Sequence, residues 1–93
     1  MTEVDDANRG GERELRRALR IIQTAREEVA NILKHARHQM AAEAVAKAED
    51  ELRRLDRVME YGSRALSMLP EEPVERLKAL HEAMTILEEL SAD

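Results

Sequence analysis

Ninety-three residues, a net charge of −5, one aromatic side chain and no cysteine set the bounds. A chain this short holds one domain at most. Without cysteine there is no disulfide, no thiolate nucleophile and no Cys-ligated zinc or iron–sulfur centre. With Tyr61 as the sole aromatic there is no stacking platform of the kind that holds single-stranded nucleic acid.

The hydrophobic 43% consists of 14 Ala, 11 Leu, 5 Val, 5 Met, 4 Ile and Tyr61. Such a core is built from thin aliphatic layers, as in helical bundles and coiled coils. No stretch approaches the ~18 consecutive apolar residues of a membrane span. The first dozen residues carry Glu3, Asp5 and Asp6 without an apolar run, unlike a secretory leader, so a cytoplasmic location is expected. Residues 1–69 hold 13 acidic and 13 basic side chains. Residues 70–93 hold seven acids against Arg76 and Lys78, so the last quarter carries the whole excess.

In chain order, residues 1–11 read as a disordered tail, because Asp5, Asp6, Asn8, Gly10 and Gly11 favour coil. A single helical domain is expected over 12–93. Its first helix, about 12–37, places Leu15, Leu19, Ile22, Val29 and Leu33 at steps of three, four and seven. The second, about 41–69, carries the seam Val45, Ala48, Leu52, Leu55, Met59, Gly62, Leu66 and Leu69. Between them, residues 37–44 contain no Gly, Pro, Asn, Asp or Ser. Local chemistry therefore leans slightly toward one continuous helix, with a turn near 38–42 as the alternative. Gly62 reads as a helix C′ position with Ser63 capping a short continuation. Pro70-Glu71-Glu72-Pro73 is a firm break. A last helix over 73–91 follows, with Val74, Leu77, Leu80, Met84, Leu87 and Leu90 as its apolar face. The expected fold is all-α: a long amphipathic helix or helical hairpin plus a shorter C-terminal helix, bundle-like and completed by dimerisation.

Arg13, Arg16, Arg17 and Arg20 lie at offsets 0, 3, 4 and 7 and share a helix face, extended by Arg9 and Arg26 with Glu14 among them. Such a face can neutralise phosphates or dock an acidic partner, although an ordinary solvated face is the commoner outcome. His35 and His38 could reach one metal, but two ligands do not make a site. His81-Glu82 lacks the context of a phospho-accepting histidine. Gly10, Gly11 and Gly62 form no phosphate loop. No catalytic, cofactor or metal site is expected.

The expected function is that of a small non-enzymatic interaction module: an adaptor, assembly factor or regulatory subunit that self-associates as a homodimer. Its interface would use Leu15, Leu19, Ile22, Val29, Leu33, Val45, Leu52, Leu55, Met59, Leu66, Leu77, Met84 and Leu87, and another protein could take the place of the second copy. The alternatives are a nucleic-acid-associated regulator using the arginine face, and a small all-helical enzyme.

Overall fold

The computed structural model describes residues 3–92. Met1, Thr2 and Asp93, which belong to the expected tail and the domain's last position, lie outside the described residues. Three helices follow in order: α1 (Glu3–Ala36), α2 (Ala42–Ser67) and α3 (Pro73–Ser91), with a single 3-10 turn at Arg37–Gln39. Among the described residues there is no strand. The molecule is a rod of 56 × 18 × 18 Å.

The long-helix reading is corrected at residues 37–41, where the chain turns back. Met40 and Ala41 are extended, and the Met40 N–H donates to the Arg37 carbonyl at 3.3 Å. No side chain caps the start of α2. Nothing local demands this turn. Its cause is tertiary: a continuous helix would leave its aliphatic stripe in water, and the helical stability of such a chain comes mainly from packing that stripe. The fold-back sets Leu19 of α1 against Gly62 of α2. It is also spanned by ion pairs from Arg37 to Glu49 at 3.1 Å and from Arg26 to Asp56.

The N-terminus is corrected as well. Residues 3–11, expected as a disordered tail, are the first turns of α1. They are held because α3 packs on them. The Asn8 Nδ2 donates to the Pro73 carbonyl at 3.0 Å, and Gly11 lies against Leu80 closely enough that a Cβ would sit 3.4 Å from Leu80 Cδ1. Glu3, Asp5 and Asp6 occupy the first turn, where carboxylates suit the positive helix end.

Gly62 does not end a helix. It is buried inside α2, which continues to Ser67. A Cβ there would overlap Leu19 Cδ2 and lie 3.1 Å from Leu19 Cγ, so glycine sets how closely α1 and α2 approach. The break at 70–73 stands where the prolines place it. Glu72 caps α3 by accepting from the Glu75 N–H at 2.8 Å, and Pro73 occupies the first turn.

The core is formed by Leu15, Leu19, Val58, Leu80, Ala83 and Leu87, with Ile22, Met59, Tyr61, Ala65, Leu66, Leu69 and Met84 packed around it. α3 runs from Pro73, beside Asn8, to Ser91, whose carbonyl accepts from Arg54 Nη1 at 3.1 Å. Its 19 residues span about 28 Å, against about 51 Å for the 34 of α1. The rod is thus a three-helix bundle at one end and a two-helix arm at the other.

Candidate functional site

Two surfaces stand out, one at each end of the rod. The first is built on α1 alone. Arg9, Arg13, Arg16, Arg17 and Arg20 line one shallow depression together with Glu12. At 100° per residue these positions fall on the side of α1 away from Leu15 and Leu19, so the packing of the core turns them to solvent.

The acid of this face is Glu12 rather than Glu14. Glu14 borders a separate depression with Gly11, Leu77, Leu80, His81 and Met84. One Glu12 oxygen accepts from Arg16 Nη2 at 3.0 Å, and the other accepts from Arg76 Nη2 of α3 at 2.9 Å. The hydrogen bond from Arg76, then that from Arg16, hold the Glu12 carboxyl below its usual range. Both oxygens are occupied, and one of the two cations comes from another helix. Glu12 thus offsets a single positive charge, shared between Arg16 and Arg76, and leaves Arg9, Arg13, Arg17 and Arg20 without a carboxylate of their own among the described residues.

Arg26 does not extend the face, because its guanidinium turns to Asp56 on α2. The contrast with the other arginines is informative. Arg37, Arg53, Arg54, Arg64 and Arg76 each pair with a carboxylate. Among the described residues Arg9, Arg13, Arg17 and Arg20 make no ion pair, and all four are exposed. Arg57 of α2 is the fifth such arginine.

The second surface is the arm, from about residue 26 to residue 54. Leu33 is buried between the two helices there. Val29, Ala36, Met40, Val45, Ala48 and Leu52 are only half-buried, and Ile32 is 50% exposed. Ala30, Ala41, Ala42, Ala44 and Ala46 are exposed, which adds to the apolar character of this end. A shallow hollow lies between Ala30, Leu33, Lys34, Arg37, His38 and Leu52.

The thirteen expected interface positions divide between these regions. Leu15, Leu19 and Leu87 are in the chain's own core, Ile22, Met59, Leu66 and Met84 pack against it, and Leu55 is buried while Leu77 is half-buried. Val29, Leu33, Val45 and Leu52 belong to the arm. Val58, 1% exposed, escaped the sequence reading. It lies outside the three-four seam because α2 packs between two helices and needs a wider apolar arc than one partner would require. His35, His38 and His81 are exposed. Among the described residues no group of three or more His, Asp or Glu side chains is placed to hold a metal, and no helix is long and apolar enough to cross a membrane.

No family model matches the sequence, and neither a curated protein nor a solved structure matches the chain.

Proposed function

We propose that the protein is a small non-enzymatic helical interaction module that self-associates through its two-helix arm, serving in the cytoplasm as an adaptor, assembly factor or regulatory subunit. One observation carries this reading: the aliphatic packing does not stop where α3 stops. Beyond Ser91 and Arg54, the α1–α2 pair still presents Val29, Ile32, Ala36, Met40, Val45, Ala48 and Leu52 with no third helix over them.

A two-helix hairpin cannot bury both sides of its apolar face, and two hairpins docked together make a four-helix bundle that can. Charge permits a second copy. Between residues 25 and 54, Glu27, Glu28, Glu43, Glu49, Asp50 and Glu51 are balanced by Arg26, Lys34, Arg37, Lys47, Arg53 and Arg54. Two arms therefore meet without net repulsion, whereas two copies of the acidic α3 would repel.

The test is sedimentation equilibrium of the wild type and of Ile32→Glu, a change at a half-exposed position that leaves the core intact. The wild type is expected to be a dimer at micromolar concentration, and Ile32→Glu a folded monomer with an unchanged helical circular-dichroism spectrum. A wild type that stays monomeric into the hundreds of micromolar range refutes self-association.

A further inference from the structure

The arginine face lies at the opposite end of the rod and has no part in the arm. We propose that Arg9, Arg13, Arg16, Arg17 and Arg20 bind the phosphate backbone of a nucleic-acid duplex, without reading its sequence.

Three observations carry this. The first is selective pairing among the described residues: on the rest of the rod, six of seven arginines have a carboxylate partner, yet four without one gather on one side of α1. With Glu12 engaged by Arg16 and Arg76, the face keeps a concentrated positive charge despite the chain's overall −5.

The second is geometry. Arg9, Arg13, Arg16 and Arg20 rise along the helix by about 6, 10.5 and 16.5 Å from the first. That straight cationic row meets a duplex, which carries one negative charge per ~1.7 Å of axis, along a stretch holding about ten phosphates. Arginine suits the task, since its planar guanidinium pairs two-to-two with phosphate oxygens.

The third is composition. Along this stretch Asp6, Arg9, Arg13, Arg16, Arg17, Arg20, Thr24 and Glu27 are polar, and the one large aliphatic exposed there, Ile21 at 62%, stands at the edge of the arginine row beyond Arg17 rather than at its centre. A protein partner needs buried apolar anchors at the centre of its contact. A phosphate backbone needs none. The sole aromatic, Tyr61, sits half-buried on α2, so bases of a single strand find nothing to stack on at this face.

The experiment measures fluorescence anisotropy of labelled 24-base-pair DNA and RNA duplexes on titration with the full-length chain, with a single strand and poly-glutamate as competitors. Binding is expected at about 50 mM salt and should weaken on the order of a hundredfold by about 200 mM, the response of roughly four phosphate contacts. The DNA and RNA arms show which duplex is preferred. Arg13→Ala/Arg17→Ala should weaken binding about tenfold or more at intermediate salt and reduce the salt slope by about two. Arg53→Ala/Arg57→Ala, an equal charge change on α2, should do neither, and melting curves of both variants confirm that they fold. Absence of binding at the lowest salt overturns the proposal, as does equal weakening by the two pairs. Competition by poly-glutamate as strong as that by unlabelled duplex also overturns it and assigns the face to an acidic protein.

Discussion

Gly10 sits inside α1 with nothing within 4 Å of where a Cβ would stand, and its φ is not positive. Alanine at this position should raise stability by about 0.5–1 kcal/mol, read as a higher melting temperature. A null result would mean that the first turns of α1 are not formed. Gly62 behaves oppositely. Its missing Cβ makes room for Leu19, so Gly62→Ala should lack the stabilisation expected at Gly10 and destabilise by up to about 2 kcal/mol in denaturant unfolding, the difference between an overpacking cost of about 1–3 kcal/mol against Leu19 and a helix-propensity gain of about 1. Both glycines look alike in the sequence, as helix breakers, because their difference lies in what faces them from another helix. Glu12 supplies the third test. Its carboxyl is held below its usual range by Arg76 and Arg16, so the stability it contributes is present above the unfolded glutamate range and is lost as pH falls through the lowered value. The drop in melting temperature between pH 7 and pH 3 should therefore be smaller in Glu12→Gln than in the wild type.

Among the elements, α3 was the most legible. Pro70 and Pro73 fix its start chemically, and its 73–91 limits follow. The amphipathic stripes of α1 and α2 were legible for the same local reason. The turn at 37–41 was not, since residues 37–44 are all compatible with helix and the fold-back is decided by contacts many residues apart. The helical start at Glu3 was hidden likewise, because Asn8 and Gly11 gain their reason for order only from Pro73 and Leu80. This turn gives a mutational test. Ala41 holds the N-cap position of α2 in an extended conformation without a side-chain cap. Ala41→Asp should stabilise by about 0.5–2 kcal/mol if the cap exists, and should instead destabilise a continuous helix at that point. The sign of the change in melting temperature separates the two.

For the whole molecule, folding back divides the aliphatic residues into a covered set and an uncovered one. The sequence carried the list of apolar positions but not the division, which depends on how far α3 reaches. The grouping of Arg13, Arg16, Arg17 and Arg20 was legible because helical spacing alone sets it. That Arg26 leaves the group for Asp56, and that Glu12 is tied to Arg76, required the third dimension. One distance tests the fold-back most directly. The chain has no cysteine, so cysteines placed at Gln23 and Ser63 can carry spin labels without competition, in samples diluted with unlabelled protein to remove distances between copies. Both residues border the same α1–α2 groove. The expected result is one short distance, set by helix axes about 8–10 Å apart plus the label arms. A distance of about 60 Å, the span of forty residues in an unbroken helix, would contradict it.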